Sequence, residues 1–121
     1  MLGNPLAPPW LIRPADANAL EQPLWPATAR RTPSGELEIG GVSVRRLAAD
    51  HGTPLYVVDE ADARARAART REAFVSAFAA HGSTATVYYA SKALLTTEVA
   101  RWMVEAGLRL DVASGGELAV A

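Results

Sequence analysis

From Leu55 to its last residue the chain alternates short, β-rich apolar runs with longer stretches of helical periodicity, and this order restricts the fold to a parallel α/β arrangement. Leu55-Tyr56-Val57-Val58 is continuously apolar, the pattern of a strand buried on both faces. Asp59 to Ala80 reads as a helix with Ala63, Ala67, Phe74 and Phe78 on one stripe, stopped by His81-Gly82. Ala85 to Ala90 is the second expected strand. Thr96 to Ala106 is the second helix, with Val99, Trp102, Met103 and Ala106 at core spacing and Gly107 as its stop. Leu108 to Ala113 is the third strand, and Gly115 to Ala121 opens a third helix.

Upstream the texture differs. Seven of the eight prolines fall within residues 1–33, with Trp10 and Trp25 among them, so this stretch is expected to be an irregular arm, ordered where its tryptophans find a pocket. After Gly35, Glu36 to Ile39 and Val42 to Val44 alternate polar and apolar around Gly40-Gly41, the pattern of a small β-hairpin. Arg45 to His51 then reads as a short helix ended by Gly52 and Pro54. The expected organisation is an arm over 1–34, a hairpin and short helix over 35–52, and three β/α units over 53–121. Three buried parallel strands would leave edges and apolar faces without cover, so the chain is expected to be the N-terminal part of a larger domain.

Twelve basic against thirteen acidic side chains give a formal net charge of -1, which supplies no field for nucleic acid or an anionic membrane surface. Arg64, Arg66, Arg69 and Arg71 are interspersed with Glu60, Asp62 and Glu72 and read as a solvated helix face. The absence of cysteine removes disulfides and thiolate chemistry and suits a reducing, cytoplasmic compartment. With His51 and His81 the sole imidazoles, no metal site is expected. Neither a signal peptide nor a membrane span is expected.

Three places can carry chemistry. Lys92 follows the second strand among the small residues Ala90, Ser91 and Ala93, at the strand end where parallel α/β folds build their sites. It is either a surface lysine in a loop or an amine placed for imine formation. Asp111 lies 19 residues on, within the third strand, so both side chains should reach one rim. A carboxylate between Leu110 and Val112 in a buried strand is either ion-paired, for instance to Arg109, or part of a site. Ser114-Gly115-Gly116-Glu117 is a capping box, or a place where two glycines let a ligand approach a helix start.

Tyr88-Tyr89-Ala90-Ser91-Lys92-Ala93 and Asp111-Val112-Ala113-Ser114-Gly115-Gly116-Glu117-Leu118 together resemble the fold-type III pyridoxal-phosphate decarboxylases, and within them the diaminopimelate decarboxylase family. The Gly40-Gly41-Val42 hairpin and Gly52-Thr53-Pro54-Leu55-Tyr56-Val57 match it too, and the arm looks like the family's actinobacterial branch. The resemblance implies the N-terminal part of a (β/α)8 TIM barrel, with pyridoxal 5'-phosphate joined covalently to Lys92, Asp111 near that lysine, and Glu117 in the region of the catalytic face. It implies decarboxylation of meso-2,6-diaminopimelate to L-lysine by a cytoplasmic homodimer. The family's remaining cofactor and substrate residues lie downstream of these motifs, so this chain alone is expected to be inactive. Two alternatives stand beside this: a decarboxylase of ornithine, arginine or carboxynorspermidine, and a non-catalytic segment that carries the cofactor.

Overall fold

The computed structural model of the chain describes Pro8, Trp10 and residues 15–21 and 24–121. The parts of the expected arm at residues 1–7, 9, 11–14, 22 and 23 lie outside the described residues.

Gly40 and Gly41, with φ of +58° and +78°, make the two-residue turn of a hairpin joining β2 (Leu37–Ile39) to β3 (Val42–Ser43), with Ile39 opposite Val42. Positive φ at both turn positions matches the right-handed twist of the flanking strands, and glycine adopts it without a Cβ clash. A third strand, β1 (Arg30–Arg31), pairs antiparallel with β2 inside the stretch expected to be irregular. Proline is no obstacle there. Pro33 occupies the second position of a turn closed by the Gly35 amide donating to the Thr32 carbonyl at 2.8 Å, where its fixed φ is an advantage. A cross-strand ion pair of 2.8 Å from Arg30 to Glu38 adds to the ladder.

Helix α1 (Val44–His51) starts on Ser43, whose hydroxyl accepts from the Arg46 amide at 3.2 Å, and stops at Gly52. Helix α2 (Glu60–Ala79) starts on Asp59, and α3 (Thr97–Glu105) starts on Thr96. Both end in paired reverse bonds around a left-handed glycine. Ser83 and Gly82 donate to the carbonyls of Phe78 and Ala79, and Leu108 and Gly107 donate to those of Met103 and Val104. Strands β4 (Tyr88–Ala90) and β5 (Arg109–Asp111) run parallel, joined by a three-residue 3-10 turn (Ser91–Ala93) and α3; α4 (Gly115–Val120) follows.

The core is Ala67 of α2, Val99 and Met103 of α3, and Leu108, with Ala63, Val87, Tyr89, Trp102, Ala106 and Leu110 packed around it. The α3 stripe anticipated at Val99, Trp102, Met103 and Ala106 is therefore the packing face. The α2 stripe divides. Ala63 and Ala67 enter the core, whereas Phe74 and Phe78 remain about half exposed. At 20 residues α2 is about 30 Å long, and the 9-residue α3 spans only about half of that.

The first strand expected at Leu55–Val58 does not form. Those residues take no regular structure, and Tyr56 is 97% exposed. A strand needs a partner to occupy its backbone groups, and among the described residues β4 and β5 pair only with each other. The two strands that do form are shorter than expected, ending where their three register pairs end. The result is a mixed α/β structure with one antiparallel and one parallel sheet. Among the described residues no helix is long and apolar enough to cross a membrane.

Candidate functional site

Strands β4 and β5 end on the same side of their sheet, with Ala90 directly opposite Asp111. Lys92 lies two residues beyond Ala90 in the 3-10 turn. Parallel register thus places Lys92 and Asp111 on one rim, as the spacing anticipated, and Ser114 opens α4 three residues further along. Lys92 is exposed, and among the described residues no carboxylate is ion-paired with it.

Asp111 departs from expectation because it is exposed, so the desolvation cost that would have demanded a partner does not arise. Arg109 does not pair with it; its guanidinium instead lies 3.5 Å from the hydroxyl of Tyr88, its cross-strand neighbour.

Ser114 and Glu117 realise a variant of the capping box. The Ser114 hydroxyl accepts from the Glu117 amide at 3.2 Å, but the Glu117 carboxylate reaches back to the Ala113 amide at 2.7 Å, one residue before the usual partner. A Cβ on Gly115 would meet nothing within 4 Å, so packing does not require glycine there.

Two residues to which sequence alone assigns no role stand out in and beside the turn. Ser91 is only 2% exposed, and its hydroxyl has no hydrogen-bond partner among the described residues. Tyr89 packs against the core and donates its hydroxyl to the Leu94 carbonyl at 2.8 Å, and burial raises its pKa. Neither feature has a sequence signature, since both depend on the bend of the chain after β4. Beneath the rim an apolar hollow of about 420 Å³ is lined by Val58, Ala63, Ala67, Tyr89 and Leu94 among others.

The α2 arginines are not simply a solvated face. Arg64 bonds Glu60 at 2.7 Å and Glu105 of α3 at 2.5 Å, which together raise its pKa, and it lies over the Trp102 ring at 5.7 Å. Arg66 bonds Asp62 at 2.6 Å and the Trp25 carbonyl at 3.2 Å. Asp62 also accepts from the Ala27 amide at 3.1 Å, and the Thr28 hydroxyl donates to Asp59 while accepting from the Gly40 amide at 2.8 Å. Burial acts to raise the Asp62 pKa, but the Ala27 amide, Arg66 and Arg69 outweigh it and hold the carboxyl below its ordinary value. The described end of the arm is thus fastened by the carboxylates of Asp59 and Asp62, with Trp25 partly buried beside them, whereas Trp10 is 77% exposed. No three potential metal donors gather among the described residues.

Residues 62–121 match the family model described as "Pyridoxal-dependent decarboxylase, pyridoxal binding domain". Over 98 residues the chain is 49% identical to a diaminopimelate decarboxylase of Mycobacterium tuberculosis, covering 81% of this chain and 20% of that protein. It is 44% identical over 116 residues to the enzyme of that name from Mycobacterium leprae, covering 95% and 23%. With that of Bacillus subtilis the identity is 50% over 91 residues, covering 75% and 20%. The chain spans about a fifth of the length of these curated relatives.

Proposed function

We propose, from the premise that this chain belongs to the pyridoxal-dependent decarboxylase family, that the full-length protein decarboxylates meso-2,6-diaminopimelate to L-lysine and carbon dioxide, with Lys92 as the attachment residue for pyridoxal 5'-phosphate. The observation that carries the reading is the exposed amine of Lys92 in the turn after β4, on the same rim as Asp111. In this assignment residues 53–121 contribute the first three β/α units of a (β/α)8 barrel, Leu55–Val58 taking strand form only where the rest of the barrel supplies its partner, behind an arm over 1–34 and a hairpin module over 35–52. The relatives' names favour diaminopimelate over other basic amino acids as substrate. The resemblance supports a homodimer, and together with the absence of cysteine it supports a cytoplasmic location.

The rim fits the cofactor chemically. The Lys92 amine is exposed and, among the described residues, paired with no carboxylate, so it is open to an aldehyde, and the Asp111 carboxylate supplies negative charge on the same side. Pyridoxal phosphate, when bound, supplies an electron sink for the pair left behind as the carboxylate departs. Lys92 would hold the cofactor through its amine and give way to the substrate amine, and that freed amine would carry a proton back towards the α-carbon.

The test is carbon dioxide release by the full-length protein supplied with pyridoxal phosphate and, separately, meso-diaminopimelate, ornithine or arginine. Turnover of diaminopimelate alone, abolished by Lys92→Ala and not restored by Lys92→Arg, is expected, because a guanidinium stays protonated and offers no nucleophilic amine. Preferred turnover of ornithine or arginine would refute the substrate assignment, and full activity in Lys92→Ala would refute the role of the lysine.

A further inference from the structure

The turn that carries Lys92 is anchored by the buried Ser91 but held by few hydrogen bonds. A three-residue 3-10 segment contributes few internal bonds, and Ala90 gives it no side-chain cap. The one side-chain hydrogen bond across residues 90–95, among the described residues, is that from the Tyr89 hydroxyl to the Leu94 carbonyl at 2.8 Å. Tyr89 is itself fixed at both ends, its backbone in register with Leu110 and its ring against the core of Ala67, Val99, Met103 and Leu108. Leu94, extended at φ −170° and ψ 124°, is the first residue after the turn. The bond therefore closes a loop around Ala90 to Ala93 and ties both ends of the lysine-bearing turn to the sheet. Burial of the phenol, which raises its pKa, keeps it a donor.

We propose that Tyr89 is a positioning residue for Lys92: through its bond to the Leu94 carbonyl it fixes the turn and hence the point from which the Lys92 amine reaches into the site. This rests on the assignment of Lys92 as the cofactor attachment residue. The role is separable from folding, because Tyr89→Phe keeps the ring in the core and frees only a carbonyl of Leu94, a residue 44% exposed and open to water. The adjacent Tyr88 is the control, since its exposed hydroxyl lies 3.5 Å from Arg109 and makes no bond across the turn.

The experiment compares the wild-type full-length protein with Tyr89→Phe and Tyr88→Phe. Amide hydrogen exchange over residues 91–96 should accelerate about fivefold in Tyr89→Phe, as expected for one neutral hydrogen bond, and stay at the wild-type rate in Tyr88→Phe. With pyridoxal phosphate and diaminopimelate, kcat of Tyr89→Phe should fall between about ten- and a hundredfold, the upper figure being that of a displacement of about 1 Å, with KM unchanged. Unchanged exchange in 91–96, an effect on KM alone, an equal effect in Tyr88→Phe, or failure of Tyr89→Phe to fold would each overturn the positioning role. Borohydride trapping of pyridoxal phosphate on the wild-type protein separates the two readings. Label on Lys92 with no kinetic effect in Tyr89→Phe defeats the positioning role alone, whereas no label on Lys92 defeats the functional assignment and this inference with it.

Discussion

Replacing Asp62 by alanine should release the arm from α2, and its cost can be worked from the contacts. Asp62 is 8% exposed and accepts from the Ala27 amide at 3.1 Å and from Arg66 at 2.6 Å. A hydrogen bond to a charged acceptor contributes about 1.5–3 kcal/mol. The Arg66 pair is an i,i+4 bond within α2 that survives release of the arm, so it adds nothing to this difference. About 2 kcal/mol from the Ala27 bond corresponds to a roughly thirtyfold shift in the local opening equilibrium. Amide hydrogen exchange over residues 24–31 reads this directly, because the Ala27 amide is itself one of the bonded groups. The pH dependence has a definite sign. Since the folded-state pKa of Asp62 lies below its ordinary 3.8, its stabilisation is fully present above that value and is lost as pH falls through the lowered folded-state pKa. The difference between wild type and Asp62→Ala should therefore be largest near neutrality and shrink in acid. Equal protection of 24–31 in both proteins at pH 7, or a difference that grows on acidification, would refute the reasoning.

Gly107→Ala should cost about 1–2 kcal/mol for its φ of +82°, plus whatever Arg71 loses in moving from 2.7 Å of the new Cβ; Gly82→Ala at φ +68° meets nothing, so the difference in their denaturant midpoints isolates the arginine contact. Met103→Ala, at 5% exposure, should destabilise by about 2–5 kcal/mol in denaturant unfolding. Phe78→Ser, at 45% exposure on the uncovered half of α2, should cost far less than a core phenylalanine would in the same measurement.

The helices were legible in the sequence because their ends are local chemistry. Ser43, Asp59, Thr96 and Ser114 cap starts through their own side chains, and Gly82 and Gly107 end α2 and α3 through their own φ. Strands were less so, because a ladder depends on a distant partner. Leu55–Val58 has the composition of a buried strand but pairs with nothing described, whereas the charged pair Arg30–Arg31 forms one because the turn at Pro33 returns the chain alongside it. At the rim, the proximity of Lys92 and Asp111 could be read from one strand-helix-strand repeat. The exposure of Asp111, the fastening of the arm by Asp59 and Asp62, and the tie from Tyr89 to Leu94 could not, since each depends on three-dimensional packing rather than spacing.

The central claim is that Lys92 holds the cofactor. The most direct measurement is borohydride reduction of the full-length protein with pyridoxal phosphate, followed by peptide mapping. Lys92 is the only lysine in these 121 residues, so a label within them on a lysine has one address. The reduced cofactor is expected on the peptide containing Ser91-Lys92-Ala93; label found on a lysine elsewhere in the protein, with that peptide unmodified, would rule out Lys92 as the attachment residue.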